Sequence, residues 1–215
     1  MSTLQSFLTW FSKLFSVKSM ISSVLLGGFC VAADKALRWK PISDQTLLRV
    51  LTDNTAHGLV GLWSWGIVCG ARTRQDVLHT LLCGLLASLV DADHFIAARS
   101  LRLKDALSLP ARPPFHATSL LLSTVLTMWI LLKILGWKAL NLVPWICTVA
   151  WLSHHIRDGT RRGLWFPPIG STPPIPYWMY IGLIVALPNV VMLCLNFRTV
   201  IDQARVVDAP LLSNV

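Results

Sequence analysis

The sequence predicts an all-α, multi-pass membrane helical bundle. Composition is the first observation behind it. Of the residues, 54% are hydrophobic and only 13% charged, against about 25% charged in soluble domains. The second is the recurrence of apolar segments near the length of about 20 residues that a bilayer crossing requires. The third is the placing of the basic residues, which fill the short connections beside those segments. A net charge of +9 distributed this way suits a lipid bilayer with anionic headgroups and not nucleic acid.

The elements follow in order. In residues 1–19, Leu4, Phe7, Leu8, Phe11, Leu14 and Phe15 share roughly one helical face, with Trp10, Lys13 and Lys18 beside them. That pattern predicts an interfacial amphipathic helix. The same stretch lacks a short apolar core followed by small residues, so no cleavable signal peptide is expected. A transmembrane helical bundle is predicted over residues 20–197, with six spans near 20–37, 47–71, 77–98, 115–135, 140–156 and 177–197. A polar C-terminal tail, residues 198–215, ends the chain. The five cysteines (Cys30, Cys69, Cys83, Cys147, Cys194) sit singly in apolar runs and read as small buried side chains, neither disulfides nor thiolate metal ligands.

All ten acidic residues are Asp. Asp34, Asp53, Asp91, Asp93 and Asp158 fall inside or at the ends of apolar segments, where a carboxylate needs a partner or a water-filled cavity. Alternating six antiparallel spans makes odd spans end where even spans begin. Asp34 closes the first span, Asp53 and His57 open the second, and Asp91, Asp93 and His94 close the third. His116 opens the fourth, and His154 and Asp158 close the fifth. All of these land on one face of the membrane. Loops on that face carry the larger share of Lys and Arg, so the positive-inside rule predicts that it is cytoplasmic.

Spacing sharpens the cluster. Asp53 and His57 are four apart, as are His154 and Asp158, and Asp91 and His94 are three apart, so each pair shares a helical face. Mixed His and Asp donors suit a divalent ion, zinc above others. Asp91, Asp93, His94, His154 and Asp158 are the expected ligands, with Asp53 a possible addition. His116 and His57 are further ligands or general acid/base groups. Arg112, Arg161 and Arg162 are loop cations that could hold an anionic substrate group. Plainer readings stand beside these: Asp34 next to Lys35 fits an interfacial pair, and Asp53 with Asn54 fits a helix N-cap. His155 flanks His154 on a diverging face, and His79 belongs to the opposite end.

The Asp91-to-His94 motif, Arg112 with His116, and Ser153, His154 and Asp158 resemble a family of bacterial LexA-binding, inner-membrane-bound metal-dependent hydrolases. That family carries D-x-D-H after an apolar helix, then H-R-G-x-x-H-S, then S-H-x-x-x-D. The helical His154/Asp158 pair is also similar to zinc ligand pairs in the all-α phospholipase C fold. The resemblance implies hydrolysis of a phosphoester or lipid-like substrate at one membrane face. Here Ala111, Pro113 and Ala117 stand where the family's first His, its Gly and its Ser fall. One possible ligand is lost, and enough His and Asp remain for one metal. The alternative expectation is a non-catalytic membrane scaffold in which the same residues form a polar His/Asp network.

Overall fold

The computed structural model describes residues 16–207, with side chains described through residue 196. The expected interfacial helix of residues 1–19 lies outside the described residues except for its last four. The same holds for the tail beyond residue 207.

Helix α1 spans Val17–Arg38 and starts where Ser16 Oγ accepts the amide of Ser19 at 3.1 Å, an N-cap that satisfies a free helix-end donor. A short helix, α2 (Lys40–Ser43), turns the chain into α3, Thr46–Cys69. Gly70, at φ 74°, ends α3 in a left-handed conformation that glycine adopts without strain. Thr73 and Asp76 form a reciprocal capping box that opens α4, Arg74–Leu89. After Val90 and Asp91 the chain re-enters helix as α5, Ala92–Ala98, and then α6, Leu103–Leu107. A 3₁₀ turn at Pro114–His116 precedes α7, Thr118–Leu135. Helix α8 runs Val143–Arg162 and stops at Gly163. Strands β1 (Trp165–Phe166) and β2 (Gly170–Ser171) pair antiparallel before α9, Tyr177–Val207. Residues 198–207 of the expected tail therefore prolong the last helix.

Among the described residues, four helical stretches are long and apolar enough to cross a membrane: Val17–Arg38, Arg74–Ala98, Thr118–Leu135 and Tyr177–Asn196. Their outer surfaces are apolar, with Leu25, Leu85, Leu126 and Val190 all exposed. The second and fifth expected spans correspond to α3 and α8, which are helical but more polar. Both occupy the inside of the bundle: α3 packs on α1, α4, α8 and α9, while α8 packs on α3, α4, α7 and α9. Their polar residues therefore face each other.

Lipid is as apolar as a leucine side chain, so helix association in a bilayer relies on close packing and polar contacts. Both are present. A Cβ placed on Gly84 of α4 would come within 2.8 Å of Leu62 Cβ and 2.9 Å of the Gly58 carbonyl, so the α3 and α4 backbones nearly touch. At one end Trp63 Nε1 donates to Ser22 Oγ, and Asn189 Nδ2 to Ser23 Oγ, both at 2.9 Å. At the other end Arg157, buried to 3% exposure, stands 3.0 Å from Asp34 Oδ1 and 3.3 Å from Asp53 Oδ1. It also donates to the Tyr180 hydroxyl at 3.2 Å. Asp34 thus pairs with Arg157 of α8, where sequence suggested its neighbour Lys35. His79 lies in the second turn of α4, at the end away from Asp91. The five cysteines are free.

Candidate metal centre

Three local features bring the centre together. Helix α4 ends just before Asp91, whose side chain makes no capping bond at the start of α5 and so is available elsewhere. Pro113 and Pro114 set the 3₁₀ turn that presents His116. His154 and Asp158 lie one turn apart on the buried face of α8.

His116 Nε2 lies 3.4 Å from Asp91 Oδ1, 3.4 Å from Asp158 Oδ2 and 3.4 Å from His154 Nε2. His154 Nε2 lies 3.5 Å from Asp91 Oδ1 and 3.4 Å from Asp158 Oδ2. A tetrahedron whose corners sit about 2.1 Å from its centre, the usual zinc–nitrogen and zinc–oxygen distance, has edges of about 3.4 Å. Five edges of this four-donor set match that figure. All five are longer than the roughly 2.7–3.2 Å of ordinary N–H···O bonds, so as direct hydrogen bonds they are weak.

Neighbouring groups orient the donors. His154 Nδ1 donates to the Ala87 carbonyl at 2.9 Å, which leaves Nε2 as the lone-pair nitrogen facing the centre. His116 Nδ1 faces Asp93 Oδ2 at 3.4 Å, and that oxygen accepts the Phe115 amide at 2.6 Å. Asp93 is 1% exposed, and its other oxygen stands 3.2 Å from His94 Nδ1. His57 Nε2 approaches Asp158 Oδ1 at 3.5 Å. Arg161 contacts that same oxygen at 3.4 Å and Asp53 Oδ2 at 2.6 Å. Asp53 also stands 3.8 Å from His57. Among the expected ligands, then, Asp91, His154 and Asp158 meet, and His116 joins them. Asp93 and His94 form an adjoining group on the far side of the His116 ring, and Asp53 lies among arginines.

His116 sits in the connection ahead of α7. Burial opposes its protonation, but the carboxylates of Asp158, Asp91 and Asp93 outweigh burial and push its pKa up to about 11. His155 turns the other way, with Nε2 on the Phe115 carbonyl at 2.8 Å and Nδ1 3.1 Å from Thr118 Oγ1.

A cavity of about 330 Å³ opens beside the centre, reaching His94, His116 and Asp158 and bordered by Arg49, Arg112, Arg161 and Arg162. Arg112 donates from NH1 to the Gly163 carbonyl at 3.2 Å and from NH2 to the Arg162 carbonyl, which fastens its loop to the end of α8. Gly163 lets the segment after β2 pack on the same end of α8: at φ 70°, a Cβ there would lie 1.9 Å from the Thr172 carbonyl oxygen. Sequence reasoning missed Arg49. Its spacing of four from Asp53, which puts both on one face, was the available signal. It also missed the structural part of Arg157, for which no local pattern exists.

The chain is 42% identical over 183 residues to transmembrane protein 267 of Bos taurus, covering 85% of each sequence. It is 44% identical over 178 residues to the Mus musculus protein of that name, covering 81% of each. The Danio rerio protein is 44% identical over 179 residues, covering 81% of this chain and 80% of the relative. No family model matches the chain, and no solved structure matches it.

Proposed function

The chain belongs to the transmembrane protein 267 family, and we propose that this integral, multi-pass membrane protein is a metal-dependent hydrolase of a phosphoester or lipid-like substrate. The observation that carries the reading is the spacing of Asp91, His116, His154 and Asp158, five edges of which fall at 3.4–3.5 Å. The resemblance to the bacterial hydrolases adds support through the motif residues alone.

In this reading those four side chains hold one divalent ion, zinc by the mixture of imidazole and carboxylate donors. Asp93 orients His116, as carboxylates do for metal-bound imidazoles, while His57 and Arg161 steady Asp158. When bound, such an ion would take a phosphoryl oxygen or water as a fifth ligand and supply Lewis acidity. Hydrolysis then joins the oxygen of one water to phosphorus as the ester P–O bond breaks, and the alcohol leaves with a proton. His94 lines the cavity, paired with Asp93, and is the group best placed to carry that proton. His57 is buried to 2% exposure and does not line the cavity, which supports a positioning part and not proton transfer. All six long helices cross the bilayer in this reading, with α3 and α8 shielded by the other four and the site near the cytoplasmic face.

A second reading has its own observation. Four protein donors complete a tetrahedron, as in structural zinc sites, so the ion would staple α4, the 3₁₀ turn and α8 in a non-catalytic scaffold. Elemental analysis of detergent-purified protein, alongside His154→Ala and Asp91→Ala, tests the common core. Wild type should hold about one divalent ion per chain and the variants far less; wild-type protein without stoichiometric metal overturns both readings. Turnover of p-nitrophenyl phosphate esters separates them: metal-dependent release supports the hydrolase, and full metal occupancy without release supports the scaffold.

A further inference from the structure

Two of the four guanidinium groups around the cavity lack partners. Arg161 is paired with Asp53 and Asp158, and Arg112 is held by backbone carbonyls. Arg49, in the first turn of α3, and Arg162, the last residue of α8, border the same cavity from different helices. Neither makes a side-chain ion pair or hydrogen bond among the described residues. Unpaired like charges on one small cavity repel each other, and a shared anion relieves that.

Part of the cavity wall is apolar, with Leu107 and Leu109 on one side and Leu164 on another, while His94, His116 and Asp158 line the end at the centre. The two loops that supply these walls also carry Leu101 and Ile169, each 92% exposed. Exposed apolar side chains at loop tips of a membrane protein suit contact with the lipid interface. The ligand indicated is therefore an amphiphile, charged at one end and apolar at the other. Two guanidinium forks and an adjacent divalent centre need more acceptors than the two oxygens of a carboxylate, whereas a phosphoryl group offers three.

We propose that Arg49 and Arg162 form a phosphoryl-binding pair that recognises the headgroup of a phosphate-bearing amphiphile and presents it to the His/Asp centre. The inference rests on the hydrolase reading of that centre. Arg112 and Arg161 are positioning residues: one anchors the loop, and the other holds Asp158.

The test uses full-length protein in detergent, with metal content measured first. The thermal midpoint is followed during titration with inorganic phosphate, short-chain phosphatidic acid, and diacylglycerol of the same chain length. Phosphatidic acid should raise the midpoint of wild type, and diacylglycerol should leave it unchanged. Arg49→Gln and Arg162→Gln should each weaken phosphatidic acid binding about ten-fold with metal content equal to wild type, and Arg49→Lys and Arg162→Lys should recover part of it. Tighter binding of phosphatidic acid than of phosphate supports the amphiphile, and equal binding of the two overturns it in favour of a water-soluble phosphoester. Wild-type protein that carries metal but binds neither anion overturns the proposal, as do Gln variants that bind like wild type or a diacylglycerol response equal to that of phosphatidic acid. Missing metal in wild type strikes the hydrolase reading instead, so the two failures are distinct.

Discussion

His57 stacks on His154 with ring centroids 3.9 Å apart and an interplanar angle of 23°, so an imidazole of α3 forms the back wall of a donor on α8. The same ring reaches Asp158 at 3.5 Å. His57 thus supports two of the four donors without being one.

His57→Ala should therefore lower metal affinity about 10–100-fold, the usual cost of removing a group that orients ligands, while the fold survives. Competition against a chelator of known affinity measures it. Unchanged affinity would remove His57 from the support of the centre.

Arg157 joins Asp34, Asp53 and Tyr180, and through them α1, α3 and α9. Arg157→Met should destabilise the bundle by about 1–3 kcal/mol, because it takes the cation from the half-buried Asp34 and one of two arginines from Asp53. Adding Asp34→Asn and Asp53→Asn to that variant should restore much of the loss. Thermal unfolding in detergent compares the single and triple variants; a triple variant no better than the single one contradicts the charge argument.

Gly84 faces a space that a methyl group would overfill, within 2.8 Å of Leu62 Cβ. Gly84→Ala should cost about 1–3 kcal/mol through overpacking. Ala87 lies three residues further along the same helix and holds His154, so metal retention should fall along with stability. A loss of stability with full metal retention would show that the two are uncoupled.

Titration of His116 sets the pH behaviour. Its folded-state pKa is raised from 6.5 to about 11, so in metal-free protein its stabilisation is complete below pH 6.5 and declines as pH rises toward 11. A proton on that nitrogen competes with a metal ion, so metal affinity should rise over the same window with proton release. Calorimetry in buffers of different ionisation enthalpy detects the released protons. A His116→Ala variant that keeps both wild-type affinity and the same proton release would exclude His116 as a donor.

The gathering of polar residues at one end was legible in the chain because helix alternation and spacings of three and four are local rules. His154 and Asp158 met as expected for that reason. The helix break at Val90–Asp91 was not legible, and it decides that Asp91 meets His154 and His116 Nε2 while Asp93 meets His116 from its Nδ1 side. Arg157 reads as a helix-end cation, since its partners Asp34 and Asp53 are more than a hundred residues away along the chain. Hydropathy also blurs α3 and α8, because the residues that build the centre are those that make these two helices polar.

The hydrogen bond from His154 to the Ala87 carbonyl couples two helices mechanically. Ala87 lies in the last turn of α4 and Asp91 just beyond its end, and both meet His154, which lies one turn before Asp158 on α8. The two helices therefore engage like the scales of a vernier. A slide by a single residue, about 1.5 Å along the axis, would break the carbonyl contact and part Asp91 from both α8 donors. An ion held there would gauge the axial alignment of α4 against α8, and the visible spectrum of cobalt(II) put in place of zinc would report any sliding of one helix past the other.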